Sequence, residues 1–427
     1  MAYNYIGSIG LFFYTFITLM PLIYKFFINE FKLYNLNYKL ITFYTIYLFI
    51  SYLLGGIVFG GLSLESFRYV LLPLVFISGL TFWGQIRTKL LYISGLINST
   101  KIFILFSVIS WVLILIGNPL IAKIYSFYAA GSAFTESYLT RVRFFGLGGQ
   151  PAISAYLISF IWFVLIVANK YREYVIGKKV KVFEGLYFIA LLISMLSTFS
   201  RAAILAFIMA GLISFFILRI KNIFKKFKFN LTISLEKLFL FMTLSVSIPF
   251  IFNALSSFSR FRFIMNLSTA FVRIEKSLYI LDLISNNIFS FLFGYLLNSE
   301  AMLSESKLLY VADSNFAFIL SNTGILGLLF FLLIYIFISY KLLSFPKIDF
   351  KSDKKFIKFR DFILLISNWF IIYTFVVCMF DPPLLDAKCL FCVGLFFQII
   401  YDLKSQFIND YYSNYLTNNK NLEKMNY

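Results

Sequence analysis

The sequence predicts an all-α protein that crosses a membrane many times. Hydrophobic residues make up 61% of the chain and charged residues only 13%. Apolar runs of about 18 residues or more recur along the whole length, as membrane spans require. Between them there is no internal repeat, soluble domain or low-complexity linker, so residues 1–427 read as a single integral membrane domain.

Eleven spans are expected, at residues 6–27, 40–61, 69–86, 101–117, 151–169, 185–199, 202–218, 238–255, 316–340, 362–380 and 387–402. The first apolar run lacks a basic leading region and a small-residue cleavage site, so it reads as a retained span. The sixth and seventh come from one stretch between Glu184 and Arg219, 34 residues in which Arg201 is the only charged side chain. As one helix it would reach about 51 Å against a hydrocarbon core of about 30 Å. An arginine at the bilayer centre costs at least about 2.5–3.5 kcal/mol. Two short helices that turn at Ser197-Thr198-Phe199-Ser200-Arg201 resolve both problems.

Lysine and arginine then set the orientation. Alternate loops, the span ends that border them and the tail carry 27 of the 38 basic residues, which assigns that side to the cytoplasm. The N-terminus is expected outside and the tail, 403–427, inside, polar and frayed at its end. The formal net charge of +19 thus reflects orientation rather than nucleic-acid binding. Two long segments fall outside, 118–150 and 256–315. The second balances Arg260, Arg262, Arg273, Lys276 and Lys307 against Glu275, Asp282, Glu300, Glu305 and Asp313. Its apolar positions Phe271, Leu278, Leu281, Leu283 and Ile284 predict amphipathic helices lying on the membrane or capping a cavity.

There is no histidine, which excludes Ser-His-Asp triads, histidine bases and His-ligated zinc. The external carboxylates form no tight cluster, so no metal site is expected. Cys378, Cys389 and Cys392 read as small apolar packing residues.

Basic residues on the external side defy the orientation rule and are the candidates for function. Arg141 and Arg143 precede Phe144-Phe145-Gly146-Leu147-Gly148-Gly149-Gln150-Pro151. There glycines permit close backbone approach and Pro151 suits a first helical turn, whose amides could hold an anion. Arg201, Arg260, Arg262 and Arg273 complete the set, and a guanidinium fork suits phosphate oxygens. Asp313-Ser314-Asn315 leads into the ninth span. Asp313 or Ser314 can cap it, or Asp313 and Asn315 can face a cavity where a carboxylate accepts a proton. Phe380-Asp381-Pro382-Pro383-Leu384-Leu385-Asp386 is explained by turn chemistry.

This order resembles the O-antigen polymerase and O-antigen ligase superfamily of bacterial envelope glycosyltransferases. The carrying features are an Arg-Gly-Pro segment before a mid-chain span, Ser200-Arg201 in an outward turn, a large external loop opening with arginines, and Asn322-Thr323-Gly324-Ile325-Leu326-Gly327 in the next span. The polymerases are the closer likeness, because ligases carry a histidine near the position of Asp313. The resemblance implies a polytopic fold like that of the membrane-embedded C-type glycosyltransferases, with the protein in the inner membrane. It implies growth of a glycan on undecaprenyl diphosphate by inverting, cofactor- and metal-independent transfer. Its partners would be lipid-linked donor and acceptor glycans, membrane lipids and a candidate chain-length regulator. Arg201 is then the first choice to stabilise the leaving diphosphate, followed by Arg273 and Arg143. Asp313 or Glu136 would be the base, with Arg141, Gly146, Arg260, Arg262 and Asn315 binding substrate. A ligase, a lipid-linked oligosaccharide flippase and an O-acyltransferase are the alternatives.

Overall fold

The computed structural model describes residues 15–24, 27, 38–60, 62–82, 86–117, 151–176, 182–198, 200–226, 268–298, 314–345, 354–381 and 383–425. Its regular elements are helical. They are α1 (Thr15–Tyr24), α2 (Tyr38–Phe59), α3 (Leu64–Phe82), α4 (Ile86–Leu115), α5 (Pro151–Ile176), α6 (Val182–Ser197), α7 (Arg201–Lys226), α8 (Ser268–Ser285), α9 (Ile288–Phe293), α10 (Asn315–Leu343), α11 (Lys354–Phe380) and α12 (Ala387–Met425). A short 3-10 turn, Pro383–Leu385, joins the last two.

The expected eleven spans are not reached. Among the described residues five helices are long and apolar enough to cross a membrane, at Leu40–Phe59, Ala152–Glu173, Ala202–Arg219, Asn315–Leu343 and Ile357–Phe380. These suggest a multi-pass membrane protein. Thr15–Tyr24, Ser66–Phe82, Ile97–Ile109 and Tyr187–Leu196 are shorter apolar helices where spans were expected. The reason is length: the 16 residues of α6 reach about 24 Å, less than a hydrocarbon core. The span expected at 238–255 lies outside the described residues. Two further expectations change. The segment before residue 101 belongs to the continuous helix α4, and the polar tail continues α12 as helix to Met425.

Contacts fix which helix ends lie together. Ser159 meets Met195 and Trp162 meets Phe188, so α5 and α6 run antiparallel. Phe207 packs on Tyr373 and Gly211 faces the Trp369 ring, so α7 and α11 do too. Tyr156 donates to Asp381 and Leu384 N donates to Asn315 Oδ1, drawing the starts of α5 and α10 to the Phe380–Asp386 turn. Phe59 packs on Tyr295, and Ser66 donates to Leu297 O. One end of the bundle therefore gathers Pro151, Arg201, the α9 turn, Asn315 and the Asp381–Asp386 turn. At the opposite end the Lys404 ammonium donates to the carbonyls of Lys341, Leu342 and Ser344 at 3.1, 3.0 and 2.5 Å, capping the last turn of α10. Burial, with Lys341 nearby, pulls its pKa down to about 8.

The core is aromatic. Phe163 is fully buried and meets Phe207, Trp369, Phe370, Tyr373 and Phe396. Helices α3 and α12 cross with Gly79 and Gly394 facing each other, so that a Cβ on either would run into the other's backbone. Small residues at such crossings let helices approach closely.

Helix α10 is broken. Gly324 has φ 64° and ψ −168° inside it, a conformation essentially restricted to glycine. Beside it the carbonyls of Ser321, Asn322 and Thr323 accept from donors outside α10. Tyr295 N–H donates to Ser321 O at 2.8 Å and Leu297 N–H to Asn322 O at 2.8 Å. The Tyr47 hydroxyl donates to Thr323 O at 2.6 Å. In an unbroken helix Thr323 C=O would accept directly from Gly327 N–H. A phenol from α2 thus engages the ladder beside the break, and side chains that do so are among the recognised causes of a kink. Tyr47→Phe should take this donor from the Thr323 carbonyl, at a cost of about 1–3 kcal/mol. The expected result is a lower thermal midpoint of the detergent-purified protein; an unchanged midpoint would refute this role for the Tyr47 hydroxyl.

The α9 turn that fills the break is itself strained. Gly294 has φ 63° and ψ −148°, and Leu296 and Leu297 have φ 50° and 62°, where bulky residues rarely sit. Asn287 caps α9, accepting from Phe289 N at 2.8 Å. Ahead of it α8 forms as its periodicity predicts, with a buried face that keeps Leu283 and Ile284 and adds Ile280. Ile280 and Ile284 pack with Tyr295 and Ala317, whereas Leu278 and Leu281 are exposed.

Candidate functional site

The broken helix lines an apolar groove enclosed by α2, α3, α10, α11 and α12. It offers about 120 Å³ to the centres of water-sized molecules. It follows α10 from Asn315 to Leu342, about 40 Å of helix, so it is long and narrow. Its walls include Leu48, Leu72, Phe76, Phe318, Phe331, Ile338, Phe370 and Leu390.

Most hydroxyls on the lining are satisfied by the helices that carry or face them. Thr323 Oγ1 donates to Ile319 O at 2.7 Å, Thr374 Oγ1 to Phe370 O at 2.8 Å and Tyr335 Oη to Ile371 O at 2.5 Å. Two lining atoms, Asn315 Nδ2 and Ser339 Oγ, have no hydrogen-bond partner. Asn315 is fully buried, 0% exposed, and its Oδ1 accepts from Leu384 N at 3.2 Å, which aims the remaining amide N–H₂. An occupant therefore meets apolar walls along the groove and a hydrogen-bond donor at the Asn315 end. That chemistry fits an elongated apolar chain ending in oxygen acceptors.

The local sequence explains how Asn315 is held. Ser314 is the N-cap of α10, its Oγ accepting from Ala317 N at 3.0 Å. Asp386 caps α12, accepting from Lys388 N at 2.9 Å and Cys389 N at 3.3 Å, with Lys388 Nζ 3.6 Å away. The 3-10 turn between these caps presents Leu384 N to Asn315.

Of the sequence-predicted residues, Asn315 lines the groove. Arg201 opens α7 at the same end of the bundle, after a tight connection in which Thr198 Oγ1 accepts from Ser200 N at 3.2 Å and Ser200 O accepts from Ile204 N at 3.0 Å. Cutting the long stretch at Arg201 thus places the turn correctly, with α6 ending at Ser197. Arg273 lies on α8. Asp313, Glu136, Arg141, Arg143, Gly146, Arg260 and Arg262 lie outside the described residues. Cys378 and Cys389 are buried free thiols in the core. No group of three or more metal-ligating side chains stands together among the described residues.

Arg68 was not singled out by the sequence reading. It is buried, 8% exposed, with its guanidinium 4.9 Å from the Tyr69 ring centroid and Nε unpartnered. The signal was available, because the charge count that puts Arg201 outside also puts Arg68 there, next to the end of a charge-free run from Leu40 to Leu64.

No protein-family profile, curated protein or solved structure matches this chain.

Proposed function

We propose that this protein is a membrane glycosyltransferase that joins undecaprenyl-diphosphate-linked oligosaccharide repeat units into a surface polysaccharide at the outer face of the bacterial inner membrane. The observation that carries the proposal is the narrow apolar groove whose one fully buried, unpaired amide donor lies at the bundle end where Arg201 opens α7. A lipid-linked glycan has the matching parts, an extended hydrocarbon and a diphosphate head. As the bond from sugar to diphosphate breaks, negative charge grows on the leaving phosphate, and preorganised guanidinium and amide donors stabilise it. An acceptor hydroxyl held in line displaces the diphosphate with inversion. The proton leaves for a carboxylate, for which Asp313 and Glu136 are the candidates. The lysine and arginine asymmetry supports placing this end outside.

A second reading is favoured by the groove's reach towards both ends of α10: a flippase for lipid-linked oligosaccharide. The lining opposes it, because sugar hydroxyls drawn through an apolar groove would each lose hydrogen bonds to water at a cost of about 1–3 kcal/mol. Polysaccharide ladders from cells with and without the protein separate the readings. Loss of long polymer with retention of a single repeat unit at the surface is expected for a polymerase. Loss of every surface repeat would instead point to transport.

A further inference from the structure

Leu297 is, among the described residues, the one groove-lining side chain that neither a helix nor the 3-10 turn carries. It ends a short strap, residues 294–297, that lies across three helices. On α2, Gly55 faces the Leu296 carbonyl and Phe59 packs on Tyr295. On α3, Ser66 Oγ donates to Leu297 O at 2.6 Å. On α10, Ser321 O and Asn322 O accept from Tyr295 N and Leu297 N. Tyr295, Leu296 and Leu297 are all buried, yet the two leucines hold left-handed backbone angles that such residues adopt only at a cost.

The α10 carbonyls have a second set of partners in the sequence. Gly324 is the one residue inside α10 with non-helical angles, and a glycine passes between left-handed and helical conformations without the penalty of a Cβ. Turned to helical angles, it would make α10 continuous, with the carbonyls of Ser321, Asn322 and Thr323 accepting from the N–H groups of Ile325, Leu326 and Gly327. The three bonds given up, from Tyr295 N, Leu297 N and Tyr47 Oη, are matched by three helical ones. Strain at Leu296 and Leu297 is released in exchange for their burial, which keeps the closed form as the ground state.

We propose that residues 294–297 are a gate in the groove wall. The strap leaves its seat, α10 closes up through Gly324, and the groove opens sideways between α3 and α10. An occupant with a head wider than the groove then enters from the side instead of threading end-on. Two packings of one segment at similar energy are a recognised basis for switching. Tyr47 is the latch: its hydroxyl bonds Thr323 O of α10 rather than the strap, and only the broken form of α10 uses that bond.

The test is hydrogen–deuterium exchange of the full-length protein in detergent, resolved at Tyr295 and Leu297, with α5 as the core reference. In wild type the two amides should exchange together and faster than those of α5, through local opening. Residues 321–323 should stay protected, because they are helical in both forms. Ser66→Ala removes a donor that only the closed strap uses, so it should speed both amides about tenfold. Tyr47→Phe should speed them by a similar factor, and neither variant should speed exchange at residues 325–327. The substitutions lie in different helices, so either serves should the other fail to fold. Exchange of Tyr295 and Leu297 only at the rate of α5 would overturn the gate. Exchange of residues 321–323 along with them would do so too, since α10 would then be melting rather than closing up. A wild-type strap rate in folded Tyr47→Phe would overturn the coupling between strap and break. No substrate enters the measurement, so the gate stands or falls separately from the proposed transferase activity.

Discussion

Gly324→Ala should abolish the folded groove, and Gly294→Ala should do so equally. Each glycine occupies a backbone conformation that other residues reach only at a cost of about 1–3 kcal/mol. Space adds a second penalty. A Cβ on Gly324 would overlap the Leu292 carbonyl, and one on Gly294 would lie 2.5 Å from Ser321 O. The two glycines pack the α9 turn against the break in α10, so neither backbone can retreat without releasing the bonds from Tyr295 N to Ser321 O and from Leu297 N to Asn322 O. Together these terms are comparable with the net stability of a typical domain, about 5–15 kcal/mol. The measurement is the yield of monodisperse protein after detergent extraction. Near-normal yield and midpoint for Gly324→Ala would show that the break is not required.

The glycine break was hard to read from sequence. A single glycine in an apolar run barely alters the helical pattern, so residues 316–340 read as one uninterrupted span. What breaks the helix comes from elsewhere in the chain, through Tyr47 and the α9 turn. The hairpin at Arg201 was legible because a length limit and a charge penalty pointed to the same residue. Helix α8 was legible in existence and in part of its buried face, Leu283 and Ile284, but not in Ile280, whose burial depends on Ala317 and Tyr295 elsewhere in the chain. The groove itself needs five helices brought together, and no local pattern encodes that. Asn315 could be marked from sequence as a cap neighbour facing a cavity, whereas its unpaired amide depends on Leu384 occupying the other side.

Arg201→Ala should reduce polymer per molecule of folded protein by about a hundredfold to a thousandfold, the usual effect of losing one preorganised donor to a developing charge. Arg201→Lys should recover little, because an ammonium lacks the planar fork that engages two phosphate oxygens. Protein abundance should stay near normal. An arginine at the first position of a helix opposes the macrodipole, so its removal should not weaken α7. A merely structural arginine would give the opposite pattern, with less folded protein and wild-type polymer per molecule. Polymer quantified against folded protein in both variants distinguishes the two.

Chain growth by the purified protein tests the central claim most directly. Reconstituted into liposomes and supplied with undecaprenyl-diphosphate-linked repeat units on the outside, the protein should convert them into a ladder of lipid-linked oligomers that lengthens with time, with release of undecaprenyl diphosphate at each step. Single repeats that change leaflet without growing, or that pass only to an added lipopolysaccharide core acceptor, would contradict the account.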